Sequence, residues 1–260
     1  MDNDLTNILK SNKVLRVWLQ DHVENTLLYP NISISDVKKF IDDTANTEIK
    51  HICIPITFVG DAKKIIEEGN LPIEIVTVIG FPHGNEMTTE EKASQIVDAA
   101  SFGASEVDFV INIGLFRYNP DAFVNEMRVL SETAHKNNMK VKAILETYYL
   151  SNKEINNIAH LCELSNVDFI KTSTGFAVKG MGNADRNPEI IGAEPGAIKE
   201  ISRGVSQVYK KKHGIKAAGG IKTLEQVKEI LKLCSDEGWN INNVRIGSSS
   251  GTSIIKEVIS

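Results

Sequence analysis

The sequence predicts an α/β fold of eight strand–helix repeats closed into one barrel, and three observations predict it. Short apolar, β-branched runs recur eight times with helical patterning after each, and strand-then-helix alternation requires parallel pairing, because parallel strands need crossover connections. Dividing 260 residues by eight leaves about 32 per unit, roughly one strand, one helix and two short loops. The open alternative, a doubly wound sheet, carries a glycine-rich fingerprint after its first strand, and Leu27 to Ile34 holds no glycine.

The elements follow in order. A helical stretch over Leu5 to Leu19 precedes the first strand, Val23 to Leu28, which is polar in its middle. Ser33 and Ser35 open a helix around Asp36 to Asp43. The second strand, Ile49 to Ile56, is followed by Asp61 opening a helix over Ala62 to Glu68. The third, Ile73 to Gly80, leads to Thr89 and a helix over Glu90 to Phe102 that stops at Gly103. After the fourth, Glu106 to Asn112, Pro120 starts a helix, because its fixed φ and missing N–H suit the first helical position. The fifth, Val141 to Glu146, runs into Ser151-Asn152-Lys153-Glu154, a capping-box pattern. The sixth, Val167 to Lys171, is followed by a helix over Pro188 to Lys212, and the seventh, Ile215 to Ala218, by one over Thr223 to Leu233. The eighth, Asn243 to Gly247, precedes a short last helix, Ser253 to Ile259. No linker or low-complexity run interrupts the series. The expectation is one domain over residues 1–260, a single TIM (β/α)8 barrel with an extra N-terminal helix.

Composition narrows the function classes. With 42% hydrophobic and 24% charged residues the chain is able to bury a sizeable core, which excludes disorder and fibrous folds. A net charge of -5 and a pI near 5.7 give no basic footprint for nucleic acid. Lys210 to His213, the densest basic run, reads as cations at a helix C-terminus. Cys53, Cys162 and Cys234 are odd in number and form no CxxC pair, so they read as buried structural thiols in a reducing, cytoplasmic setting. The start, MDNDLTNILK, lacks the charged and apolar segments of a leader, and no run approaches ~18 consecutive apolar residues, so no membrane partner is expected.

Active sites of such barrels gather at the C-terminal ends of the strands, so charges inside or just past the strand runs form the short list: Glu24, Asp108, Lys142, Glu146, Lys171 and Lys216. A partly buried amine beside a second cation loses its proton more readily. Two charges ~4 Å apart at an effective dielectric of ~20 interact by ~4 kcal/mol, roughly three pKa units, enough to bring a lysine from ~10.4 toward neutrality. A neutral amine attacks a carbonyl carbon, opening imine and enamine chemistry. A purely structural reading instead pairs the lysines with Asp108, Glu146 and Glu24 as a buried ionic network. The turns Gly219-Gly220 and Gly247-Ser248-Ser249-Ser250-Gly251 follow the last two strands, where backbone N–H groups of small residues accommodate phosphate; a capping and turn role is the alternative.

In this order the motifs TVIGFPHG (Thr77 to Gly84), GASEVDFVINIG (Gly103 to Gly114), VKAILET (Val141 to Thr147), FIKTSTGF (Phe169 to Phe176), IKAAGGIKT (Ile215 to Thr223) and RIGSSSG (Arg245 to Gly251) give a chain that resembles the deoxyribose-phosphate aldolases of the class I, Schiff-base type. The resemblance implies that Lys171 forms the Schiff base, that Lys216 perturbs it and joins proton transfer, and that Asp108 is the acidic partner. Glu24, Lys142 and Glu146 are implied as supporting charges, and Gly175, Gly219, Gly220, Lys222, Gly247, Ser249 and Ser250 as the phosphate site. The implied substrates are small phosphorylated sugars and aldehydes, with no cofactor and no metal; a homodimer is compatible with the resemblance.

The chain departs from the family pattern at Glu24, where an aspartate is usual, at Ile54-Pro55, where Asn-Pro or Tyr-Pro is usual, at Phe176, and over 177–187. A related Schiff-base aldolase for a longer phosphorylated sugar would reshape the walls at Pro55 and after Gly175. A non-catalytic phosphate-binding barrel would need none of Lys171, Lys216 and Asp108. The six histidines show no close ligand pairing, which disfavours a metal-dependent aldolase, and His83 reads as a turn or polar-contact residue.

Overall fold

Residues 3–258 are described by the computed structural model, and eight parallel strands close into a barrel in sequence order. The strands are β1 (Val23–Thr26), β2 (His51–Ile54), β3 (Glu74–Ile79), β4 (Glu106–Val110), β5 (Lys140–Ile144), β6 (Phe169–Lys171), β7 (Gly214–Ala218) and β8 (Val244–Ser248). Each expected strand is present within two residues at either end. Closure comes from β1 against β8, with Glu24 paired to Gly247.

The helices are α1 (Asn3–Lys10), α2 (Asn12–His22), α3 (Ile34–Ala45), α4 (Val59–Glu68), α5 (Thr89–Phe102), α6 (Ile113–Tyr118), α7 (Pro120–Lys136), α8 (Asn152–Leu164), α9 (Pro195–Gly204), α10 (Gln207–Lys212), α11 (Leu224–Asp236) and α12 (Gly251–Lys256). Several expectations require correction. The N-terminal stretch is two helices, because Ser11 takes an extended conformation and its side chain caps α2. Asp61 lies in the first turn of α4 rather than before it, since a 3-10 turn over Ile56–Phe58 starts the helix early. Thr88, not Thr89, caps α5 through a reciprocal box with Glu91. The short α6, capped by Asn112, is an addition. The last helix begins at Gly251, and Ile259 lies outside the described residues.

The largest correction concerns Pro188 to Lys212. Residues 188–194 are irregular, α9 starts at Pro195, and Ser206 caps a separate α10. The reason is a close backbone crossing. The Ala193 N–H donates to the Gly219 carbonyl at 3.1 Å, and a Cβ on Gly192 would lie 2.2 Å from that same oxygen. The segment is therefore drawn over the end of β7 instead of winding into a helix.

Alternation along each strand sorts the side chains. On β4, Val107 and Phe109 join the apolar layer between sheet and helices, whereas Glu106 and Asp108 share the other face and point inward. The longer helices complete that layer with an apolar face; α8 buries Ile155, Ile158, Ala159 and Cys162, the spacing of one helical face. Cys53, Cys162 and Cys234 are all buried and free. No described helix is long and apolar enough to cross a membrane.

A buried ion pair sits inside the outer layer. Lys92 of α5 meets Glu126 of α7 at 3.0 Å, both essentially inaccessible, and its ammonium also donates to the Val110 carbonyl at 3.0 Å. Lys92→Met removes one partner and strands a buried carboxylate, so a loss of about 3–5 kcal/mol is expected in urea denaturation. The double variant Lys92→Met/Glu126→Leu is expected to recover most of that loss; no recovery would place the cost in packing rather than in the ion pair.

Candidate active site

Strand register carries the charged residues to one place. Asp108 pairs with Lys142 across β4 and β5, and Lys171 with Lys216 across β6 and β7. The Asp108 carboxylate accepts from all three lysines: Lys142 Nζ at 2.9 Å on Oδ1, Lys171 Nζ at 2.9 Å and Lys216 Nζ at 2.7 Å, both on Oδ2. Glu24 accepts from Lys216 and lies 3.4 Å from Lys142. Glu106 takes Lys142 at 2.5 Å, Lys140 at 3.3 Å and Arg245 at 3.5 Å. The Phe169 ring lies against Lys142 and Arg245, 5.9 and 5.7 Å from its centroid.

These charges hold one another ionised. Burial pushes the Asp108 carboxyl up, but the ammonium groups of Lys142, Lys171 and Lys216 outweigh it and hold it well below the usual range. Glu24 is lowered for the same reason by Lys142 and Lys216, and Glu106 by Lys142, Arg245 and Lys140. Burial alone would lower Lys216 and Lys142; Asp108 with Glu24, and with Glu106 for Lys142, raises both instead. The expected direct repulsion between Lys171 and Lys216 is thus corrected: an anionic oxygen sits between the two cations.

The ionic network is present, with Glu106 in the place expected for Glu146. Glu146 lies two residues past the end of β5, beyond the network at φ 53, and its carboxylate accepts the Thr174 N–H at 3.2 Å and the Thr174 hydroxyl. Glu106 and Arg245 were missed. The available signal was the two-residue spacing from Glu106 to Asp108, which fixes a shared face, and a charge inside the run Val244-Arg245-Ile246.

Above the network lies a cavity of 170 Å³ that Lys171 shares with Gly175, Gly219, Gly220, Lys222, Gly247 and Ser249, all expected at a phosphate site. Thr26, Leu28, Tyr29, Thr174, Phe176, Ala218, Ile221 and Ser248 complete its wall. Ser250 does not line this cavity, and its N–H donates to the Ser248 hydroxyl at 2.9 Å. Gly219, at φ 90, admits the chain crossing, because a Cβ there would lie 2.9 Å from Gly192 Cα. Gly247 makes room for a lysine, since its Cβ would meet Lys216 Cε at 2.9 Å.

The opposite wall is apolar. Cys53, Val76 and Val78 cluster with Leu28 and Phe81. A second cavity of 590 Å³ adjoins through Leu28, Tyr29 and Phe176 and is lined by Pro55, Ile56, Phe58, Phe81 and Pro82 among others. At the other end of the barrel, His51, Glu74 and Glu106 bring ligand-type atoms within 4.8 Å of one another. Lys140, Lys142 and Arg245 already supply positive charge to Glu106 there, and burial followed by Arg245 lowers His51 to about 4.

Residues 17–256 match the family model described as DeoC/LacD family aldolase. The chain is 34% identical over 236 residues to the deoxyribose-phosphate aldolase of Mycoplasmoides pirum, covering 91% of this chain and 96% of that protein. It is 34% identical over 236 residues to that of Thermococcus kodakarensis, covering 90% and 94%. Among solved structures, "QR15, an Aldolase" aligns with a TM-score of 0.73 at 30% identity, covering 91% of this chain and 93% of that one. The tetrameric deoxyribose phosphate aldolase from Aeropyrum pernix aligns with a TM-score of 0.77 at 21% identity over 98% and 96%, a likeness of fold.

Asp108→Asn leaves three buried ammonium groups short of one anion, so stability is expected to fall by about 3–5 kcal/mol at neutral pH. The depressed folded-state value means that this contribution is complete above the unfolded value near 3.8 and is lost as pH falls below it. Denaturation midpoints of the two proteins are therefore expected to converge only below about pH 3.8. A gap that closes between pH 7 and 5 would contradict the assignment.

Proposed function

The chain belongs to the DeoC/LacD family of aldolases, and from that premise we propose that it reversibly cleaves 2-deoxy-D-ribose 5-phosphate to acetaldehyde and D-glyceraldehyde 3-phosphate, with Lys171 as the Schiff-base nucleophile. The observation that carries this reading is the double occupancy of one Asp108 oxygen by Lys171 and Lys216, directly beneath a cavity edged by glycine and serine turns. A binding scaffold for phosphate has no use for two buried ammonium groups on one carboxylate.

Lys171 Nζ, after losing a proton, attacks the C1 aldehyde, and loss of water from the adduct gives the imine. Removal of the C3 hydroxyl proton breaks the C2–C3 bond; its electron pair moves into the protonated imine, glyceraldehyde 3-phosphate leaves, and an enamine of acetaldehyde remains on Lys171. Protonation at C2 and hydrolysis release acetaldehyde and return the amine. Asp108 and Lys216 are the groups close enough to pass protons to and from Lys171, and Glu24 and Lys142 keep them charged. Gly175, Gly219, Gly220, Lys222, Gly247 and Ser249 receive the phosphate, which fixes the distance from the anion to the reacting carbons. No cofactor takes part.

A longer sugar phosphate fits less well. The space beyond Phe176 is walled mostly by apolar residues, Pro55, Ile56, Phe58, Phe81 and Pro82 among them, with Tyr29, Thr57 and Gln95 as its polar side chains, so it offers few partners to additional hydroxyls.

Borohydride reduction in the presence of acetaldehyde is expected to leave a two-carbon adduct on Lys171, located by peptide mass spectrometry. Lys171→Ala should lower cleavage by on the order of 10⁴-fold with the fold intact. An adduct at another lysine, or cleavage that a chelator abolishes, would sink this mechanism.

A further inference from the structure

Among the four buried carboxylates at the strand ends and interior, Glu24, Glu106 and Asp108 each lie within ion-pair distance of lysines, and Glu146 does not. Among the described residues, no ammonium or guanidinium group lies within 4.0 Å of it. Its Oε2 takes the N–H and hydroxyl of Thr174, whereas Oε1 is buried with no hydrogen-bond partner. A non-glycine residue at φ 53 costs about 1–3 kcal/mol, and such strain persists where the surroundings over-determine it.

Thr174 is the hub of the turn that follows Lys171. Its Oγ1 also accepts the Phe176 N–H at 3.0 Å, and Thr174, Gly175 and Phe176 all line the cavity above Lys171. On its other side Glu146 borders a separate cavity of 550 Å³ with His83, Glu86, Arg117 and Tyr149. Arg117 there is occupied by Glu154 at 2.7 Å and the Tyr149 carbonyl at 3.0 Å, and the basic groups that act on Glu146 are Lys171 of β6 and His83 of the loop after β3.

We propose that Glu146 is a positioning residue: as a carboxylate it locks the 172–176 turn through Thr174 into the shape that holds substrate, and as a neutral acid it releases that turn. The neutral form places its proton on Oε1, since Oε2 already faces two donors, and leaves Oε2 a weaker, uncharged acceptor. Burial favours this neutral form, opposed by Thr174, Lys171 and His83, so the carboxyl titrates above its ordinary value of 4.5. Substrate affinity then falls as pH drops through that higher value, while the chemistry at Lys171 is untouched.

The inference rests on the aldolase reading, and the experiment separates the two. KM and kcat for deoxyribose 5-phosphate are measured across pH for the full chain, with borohydride trapping of acetaldehyde alongside. Glu146→Gln imitates the neutral acid: KM is expected to rise about tenfold at neutral pH and lose its pH step, kcat to change far less, and trapping of the two-carbon aldehyde to persist. Thr174→Ser keeps the hydroxyl and the pH step; Thr174→Val loses the step, and carries the test alone if Glu146→Gln does not fold. A wild-type KM profile in Glu146→Gln or Thr174→Val, or a loss of kcat and trapping with KM unchanged, overturns the inference. A wild-type chain that neither cleaves nor traps overturns the aldolase reading and this inference with it.

Discussion

Asp108 accepts hydrogen bonds from Lys142, Lys171 and Lys216 at a fully buried position, and the barrel interior is arranged around the consequences. Three ammonium groups in one low-dielectric place would repel one another by several kcal/mol per pair. The carboxylates of Asp108, Glu24 and Glu106 make their coexistence possible. Each of those carboxylates comes from a different position on β1 or β4, and each lysine from β5, β6 or β7, so ion pairing and strand register enforce each other. Slipping one strand by a single residue would turn its charge outward into the apolar layer.

The same constraint gives the site two unlike walls. Strands β1, β4 to β7 and β8 supply the charges, whereas β2 and β3 contribute Cys53, Val76 and Val78, with Leu28 and Phe81 beside them. The glycine- and serine-containing turns stand at the ends of β7 and β8. The irregular 188–194 segment closes over Gly219, where the lack of a side chain admits the crossing chain.

Much of this was legible in the sequence. Eight apolar runs, separated by capped helical segments, specify parallel crossover connections, and charges inside such runs are costly enough to be noticed. Lys171, Lys216 and Asp108 stood out for that reason, and their assembly follows from strand alternation. Less legible were features that depend on approach between distant segments. Pro188 to Lys212 has helical composition throughout, yet Gly192 must pass Gly219 at backbone contact, and tertiary packing overrode local propensity. Ser250 belongs to a turn whose hydrogen bonds are satisfied internally, a property that spacing does not reveal. Glu146 and Glu106 exchanged roles because β5 ends at Ile144, so the chain has already turned when it reaches Glu146.

The sequence by itself determined the barrel and the order of its strands and singled out Lys171, Lys216 and Asp108 as charges inside apolar runs, since period, length and the cost of buried charge are local properties of the chain. The tertiary structure alone decided which carboxylate meets which lysine. Ion pairs of a few ångströms depend on register and on the last residue of each strand, so a change of one position exchanges a partner for a neighbour. That is why Asp108 lies between Lys171 and Lys216, and why Glu146 faces Thr174 instead of a cation.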